Sequence, residues 1–148
     1  MKSLITFRSL SEDDTRRIAG ELFEQLFHPG DLIILSGPLG AGKTYFVKGL
    51  AQAMGIPPKQ VVSPTFALMR EYFTPSWHLY HLDFYRLHTP EEAMDLCWEE
   101  ALSPPALIVI EWGEKFLKHL PRPFYLVHLT PIDETLRQIE VEFYEKEE

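Results

Sequence analysis

The stretch Gly37-Pro38-Leu39-Gly40-Ala41-Gly42-Lys43-Thr44 decides how this chain is read. It fits the phosphate-binding pattern G-x-x-x-x-G-K-[ST] at every fixed position. A loop that wraps a pyrophosphate must turn several backbone N–H groups inward, and Gly37, Gly40 and Gly42 permit this without a side-chain clash. Lys43 is placed to reach the β- and γ-phosphates, and the Thr44 hydroxyl to ligate Mg²⁺. The flanks agree with that reading. Asp31 to Ser36 is a short apolar strand-like run, and Thr44 to Met54 has helical spacing with Val47, Leu50, Ala51 and Met54 on one face. Strand, loop and helix is the context the motif requires.

Around this core, the 148 residues suit one domain spanning 1–148, and 45% apolar residues suffice for a full core. The net charge of −8 argues against a protein whose main task is to grip nucleic acid by its phosphates. A single cysteine, Cys97, excludes an internal disulfide and a Cys-rich zinc site, and it has no activating partner in sequence. No long apolar stretch opens the chain, so neither a signal peptide nor a membrane span is expected, and a cytoplasmic location is.

Upstream of the loop, Ser3 to Phe7 reads as a short edge strand. Ser11 is a good N-cap before acidic residues, and Ile18, Ala19, Leu22, Phe23 and Leu26 form a helical stripe that ends near Gly30. Downstream, Gly55 and Pro57-Pro58 stop the P-loop helix. Phe66 to Tyr72 and Trp77 to Tyr85 read as strands of an antiparallel hairpin turned at Thr74-Pro75-Ser76. Thr89-Pro90 starts a short helix to about Cys97, with another through Leu102 until Pro104-Pro105. Leu107 to Ile110 is a strand buried on both faces. Glu114 to Leu120 is a short helix, and Phe124 to Leu129 and Leu136 to Phe143 are strands. In the last, Ile139, Val141 and Phe143 face inward and Glu140 and Glu142 face solvent, near an edge. Residues 145–148 are expected to fray. The sum is an α/β, three-layer, P-loop NTPase-like domain. Its mixed, mainly parallel central sheet contains the P-loop and Leu107 strands, antiparallel strands lie at its edges, and phosphate chemistry belongs at the carboxyl ends of the parallel strands.

Two acids stand out. Glu111 directly follows the apolar run Leu107 to Ile110, the form of the acid-ended strand that serves Mg²⁺ or water in P-loop proteins. The alternative is a plain surface acid at a strand end. Asp83 sits among apolar and aromatic neighbours, where an unpaired carboxylate is costly to bury. Mg²⁺ would compensate, as would Arg86 or a histidine. Thr65 lies about twenty residues beyond the P-loop, where other P-loop proteins carry a switch segment, although a threonine after proline also suits a strand start. Trp112 fits either a nucleotide-side or a core position. His78 and His81, three apart in a strand, face opposite ways, so zinc is not expected. The guanine-reading N/T-K-x-D element is absent, since the chain contains no Asn, and this favours ATP.

Taken together, the P-loop, Ser63-Pro64-Thr65-Phe66, His81-Leu82-Asp83-Phe84-Tyr85-Arg86 and Glu111-Trp112 resemble the TsaE (YjeE) family from Ser11 to about Leu129. The resemblance implies a small ATPase required for threonylcarbamoyladenosine in tRNA. Such a protein acts through a TsaB–TsaD complex, which carries out the chemistry on tRNA, and contacts tRNA only indirectly. It implies ATP and Mg²⁺ as cofactors, with Lys43 and Thr44 on phosphate and metal. Gly37, Gly40, Ala41 and Gly42 form the phosphate loop. Thr65 belongs to a switch-I-like loop, Asp83 to a switch-II-like segment, Glu111 lies near the metal and Trp112 near the nucleotide. Lys43, Asp83 and Glu111 are the expected catalytic set, and Thr44, Asp83 and Glu111 the metal set. One departure is Pro38, where the family usually has Asp; proline removes one backbone donor. The alternatives are a small-molecule kinase, which would need an acceptor pocket and an Arg-rich lid, and a nucleotide-loaded switch without hydrolysis. No arginine finger is evident in the sequence, leaving Arg86 or a partner to supply one.

Overall fold

The computed structural model describes residues 2–96, 98 and 106–146. The expectations for Cys97, for a helix through Leu102, for Pro104-Pro105 and for the last two residues lie outside that set.

Seven strands form one sheet in the order β1-β7-β6-β2-β5-β4-β3. In chain order they are β1 (Lys2–Ser9), β2 (Leu32–Ser36), β3 (Met69–Phe73), β4 (His78–Asp83), β5 (Ala106–Glu111), β6 (Phe124–Pro131) and β7 (Arg137–Tyr144). The four central strands β6, β2, β5 and β4 are mutually parallel. The hairpin partner β3 and the pair β7 and β1 add antiparallel strands at the two edges. The P-loop strand and the Leu107 strand are adjacent, as expected, and β4 and β6 extend the parallel core on either side.

The α/β layering follows from side-chain alternation. On one face, Ile33, Leu35, Leu79, Leu107, Val109, Val127, Ile139 and Val141 pack against helices α1 (Glu12–Gln25) and α2 (Lys43–Ala53). On the other, Leu32, Ile34, Leu82, Ile108, Ile110 and Leu126 pack under the short helix α3 (Pro90–Met94) and the 3₁₀ segment Gly113–His119. Strand β5 is buried along its full length, as its unbroken apolar run requires.

Local chemistry sets the helix ends. Ser11 caps α1 by accepting from Asp14 N–H, and Glu12, Asp13 and Asp14 complement the positive end. Thr89 and Glu92 form a reciprocal capping box on α3. Helices α1 and α2 approach closely at Gly49, where an added Cβ would lie 2.3 Å from Arg16 O.

Two expectations are corrected. Phe66 to Leu68 do not belong to β3, which begins at Met69. They form a turn closed by Leu68 N–H donating to Pro64 O at 2.6 Å, with Leu68 at φ 69°, a conformation no strand accommodates. The outer face of β7 is not simply solvated either. Glu142 is buried and hydrogen-bonded to His128 across the β6 pairing, so strand alternation there selects a polar pair rather than water. At the hairpin, β4 starts at His78 and stops at Asp83, inside the expected Trp77 to Tyr85.

Candidate nucleotide site

The site lies at the carboxyl ends of β2, β4 and β5. Strand parity puts His81, Asp83 and Glu111 on the face shared with Leu79, Leu107 and Val109, the face that α2 covers. Asp83 and Glu111 are register partners on neighbouring strands. A cleft of about 620 Å³ opens over them and is lined by Gly40, Gly42, Lys43, Thr44, Thr65, Asp83, Glu111 and Trp112 among others. The fold thus gathers these residues from four separate segments at one opening. Gly37 and Ala41 do not line this cleft; Gly37 bonds Lys43, and the buried Ala41 donates its N–H to Pro38 O at 3.1 Å.

The P-loop enters α2 through Gly42, which occupies the N-cap position at φ 102°, a backbone state open to glycine and strained for other residues. No side chain caps this end. The first N–H groups of α2 and its positive pole therefore face the cleft as an anion-binding terminus. Lys43 is only 5% exposed. Its ammonium donates to Gly37 O at 2.7 Å and lies 3.8 Å from the centroid of the Trp112 ring. Burial pushes it below the ordinary lysine range, while Glu111, Glu114 and Asp83 oppose that shift. Trp112 lies against the P-loop lysine, lines the cleft and also packs on the core cluster beneath it, at φ 63°, an uncommon backbone state for a non-glycine residue.

Both acids are buried and held. Asp83 is 1% exposed. Its Oδ2 accepts from the Thr65 hydroxyl at 2.9 Å and its Oδ1 from Tyr85 N–H at 2.8 Å. The backbone reinforces the same link, since Asp83 N–H donates to Leu68 O at 3.0 Å. The loop that carries Thr65 is therefore tied to the end of β4, and Asp83 is satisfied by that loop rather than by a histidine. The Arg86 guanidinium stacks over the Phe66 ring, with 5.3 Å from its carbon to the centroid. Glu111 is 4% exposed and accepts from His81 Nε2 at 2.6 Å. His81 is itself fully buried, and its Nδ1 has no protein partner.

Three participants were not anticipated. His81 orients Glu111, a fact of register between β4 and β5 that no local pattern encodes. Glu114 contributes to the field at Lys43. Arg137, 96 residues beyond Ala41, bonds the P-loop carbonyls and lines the cleft. On the far wall the cleft is completed by Ser11, Glu12, Asp13 and Thr15 from the start of α1, and by Glu134 and Thr135 from the β6–β7 turn.

The donor chemistry fits a magnesium–nucleotide pair. The Thr44 hydroxyl and the Asp83 and Glu111 carboxylates are hard oxygen donors suited to Mg²⁺. The open N-terminus of α2 and the Lys43 ammonium suit phosphate oxygens. The described residues include one mixed His128, Glu140 and Glu142 group, on the opposite face of the sheet. No helix among the described residues is long and apolar enough to cross a membrane.

Comparison with known proteins bears on the same residues. Residues 9–139 match the family described as "Threonylcarbamoyl adenosine biosynthesis protein TsaE". The chain is 43% identical over 113 residues to the tRNA threonylcarbamoyladenosine biosynthesis protein TsaE of Rickettsia typhi, covering 76% of each chain. It is 38% identical to that of Treponema pallidum, over 90% of this chain and 96% of the relative. Among solved structures, the crystal structure of YdiB from Bacillus subtilis superposes with a TM-score of 0.75 at 28% identity, over 95% of this chain and 86% of that one.

Proposed function

The chain belongs to the family of TsaE proteins of tRNA threonylcarbamoyladenosine biosynthesis, and from that membership we propose that it is a Mg²⁺-dependent ATPase serving this modification through a TsaB–TsaD complex. The observation that carries the proposal is the convergence of Lys43, Thr44, Thr65, Asp83 and Glu111 on one cleft at the end of the parallel strands. Two buried, hydrogen-bonded carboxylates beside a phosphate loop suit Mg²⁺ binding and the positioning of water, which favours the hydrolytic reading.

The residues divide the work as follows. The N–H groups at the start of α2 hold the phosphates, and Lys43 gives up its contacts with Gly37 O and Trp112 to join them. Thr44, with Asp83 and Glu111, would hold Mg²⁺, which would neutralise phosphate charge when bound. Asp83, fixed by Thr65 and the Tyr85 N–H, and Glu111, fixed by His81, orient the attacking water and hold its proton. Trp112 covers one side of the cleft and limits access of bulk water. Because the two acids are held before any ligand arrives, little reorganisation opposes the reaction. The cleft is shaped by the protein's own loops, and stimulation by a partner enters through residues it adds or loops it orders. On this reading the isolated chain turns over slowly. tRNA is reached through the complex, in keeping with the net charge of −8.

The test compares ATP binding and hydrolysis in wild type, Asp83→Ala and Glu111→Ala. Hydrolysis should fall by about 10²-fold or more, as for loss of a positioned general base, with ATP affinity changed far less. Equal loss of binding and hydrolysis in both variants would assign the two acids to the fold instead. Phosphorylation of an added small molecule in step with ADP release would favour a kinase.

A further inference from the structure

We propose that Arg137 is a positioning residue for the nucleotide: it locks the peptide planes of the P-loop and fastens the β6–β7 turn to the site as its side wall. The inference rests on the reading of the cleft as a nucleotide site. One guanidinium joins two segments far apart in sequence. Its Nε donates to Ala41 O at 3.1 Å and its Nη2 to Gly40 O at 3.1 Å. Its Nη1 donates to Asp133 O at 2.7 Å and Leu136 O at 3.1 Å.

A trans peptide points its C=O and N–H in opposite directions. A loop can therefore present N–H groups to an anion only if the matching carbonyls are turned away and kept there. The Gly40–Ala41 peptide is held at both ends, its carbonyl by Arg137 and its N–H by Pro38 O at 3.1 Å. The Ala41–Gly42 peptide is held by its carbonyl, which directs the Gly42 N–H the other way. Gly40 sits at φ 80°, where glycine meets little resistance to peptide rotation, so Arg137 adds from outside the loop to the hold of Pro38 O within it. A rotated peptide would place a carbonyl oxygen where the phosphate needs a donor. Arg137 also leaves its positive charge at the mouth of the cleft, which it lines.

The other end of the bridge is equally well built. Asp133 Oδ1 accepts from Thr135 N–H at 2.9 Å and Leu136 N–H at 2.8 Å, and Ile132 N–H donates to Leu136 O at 2.9 Å. The turn carries its own hydrogen bonds, and it presents Glu134 and Thr135 to the cleft beside the start of α1, next to the Ser9–Arg137 strand pairing. Fastening it to the P-loop holds this wall of the cleft in place. Lysine cannot substitute, because an ammonium on a flexible stem lacks the planar fork that spans four carbonyls.

The test uses the full chain with Arg137→Met and Arg137→Lys. Calorimetric titration with MgADP and MgATP should show affinity falling about tenfold to a hundredfold in both, from the loss of charge-assisted hydrogen bonds. The maximal hydrolysis rate at saturating ATP should stay within about twofold, since Lys43, Asp83 and Glu111 are untouched. Thr89→Ala, which removes the capping box on α3 away from the cleft, serves as a control for general destabilisation and should leave affinity unchanged. An Arg137→Lys protein that binds both nucleotides like wild type overturns the inference, as does a Thr89→Ala protein with a matching loss of affinity. Failure of the wild type to bind either nucleotide would instead overturn the nucleotide reading on which it rests.

Discussion

Lys43 is the residue on which the site turns. Its ammonium is 5% exposed and is satisfied by one carbonyl and the face of Trp112. Burial lowers its pKa, so the charged form is less stable here than in water. The sign of the consequence follows. Between the lowered folded-state pKa and the ordinary one, the unfolded chain binds more protons than the folded chain. Stability attributable to this group therefore rises as pH climbs through that interval, and the penalty is complete below it. Lys43→Met should abolish nucleotide binding and raise the thermal midpoint of the ligand-free protein at neutral pH. The gap to wild type should narrow as pH approaches the ordinary lysine range. Thermal unfolding at several pH values checks this; a variant less stable than wild type at neutral pH would show that the contacts with Gly37 and Trp112 outweigh desolvation. The residues that a local pattern can mark, Lys43, Thr44 and the strand-end Glu111, were legible in the sequence. Asp83 was legible as an acid in an apolar setting, but not its partner, because the bond to Thr65 spans 18 residues and a loop. His81 and Arg137 were invisible for the same reason: their roles are set by strand register and by chain segments 30 and 96 residues away.

At the scale of elements, the loop from Val61 to Leu68 and the pair of helices α1 and α2 behave in opposite ways. The loop is tied to β4 by the Thr65 hydroxyl bond and by Asp83 N–H to Leu68 O, while Val62 and Phe66 remain exposed. With so few anchors, its opening is a local event. Thr65→Val should speed amide exchange across this loop and lower the thermal midpoint by only about 3 °C, because a single part-buried hydrogen bond contributes about 1 kcal/mol. Unchanged exchange would mean that Asp83 N–H to Leu68 O and Val62 N–H to the Tyr72 hydroxyl hold the loop without it. The helix pair is close-packed instead. A Cβ at Gly49 would meet Arg16 O at 2.3 Å and Ala19 Cβ at 2.8 Å. Gly49→Ala should therefore cost about 1–3 kcal/mol by overpacking, despite the better helix propensity of alanine. A denaturant titration reads this directly. Caps and apolar periodicity made both helices legible. The loop misled because Phe66 and Leu68 are apolar at strand spacing, whereas turn closure and the positive φ of Leu68 decide the local structure.

Across the whole molecule, the parallel strands β4, β5 and β2 end side by side, and the chain places a different function at each end. Strand β2 delivers the phosphate loop, β5 delivers Glu111 and Trp112, and β4 delivers Asp83 with the Thr65 loop attached. This is the arrangement that α/β sheets use for ligands. The antiparallel strands at the edges lie outside this row, yet β7 reaches back through Arg137 to the P-loop. Every loop around the cleft is therefore linked, directly or through one side chain, to the sheet beneath it. The three-layer architecture was legible because unbroken apolar runs identify central strands. The full strand order was not, since β6 joins β2 in parallel across most of the chain, a pairing set by the packing of both faces.

The most direct measurement is steady-state ATP hydrolysis by the purified chain with Mg²⁺, alone and with purified TsaB–TsaD complex, for wild type and Glu111→Ala. The account predicts slow hydrolysis by the wild type alone, a marked rise with the complex, and no rise for Glu111→Ala. A rate indifferent to the complex, or a Glu111→Ala protein stimulated as strongly as wild type, would contradict it.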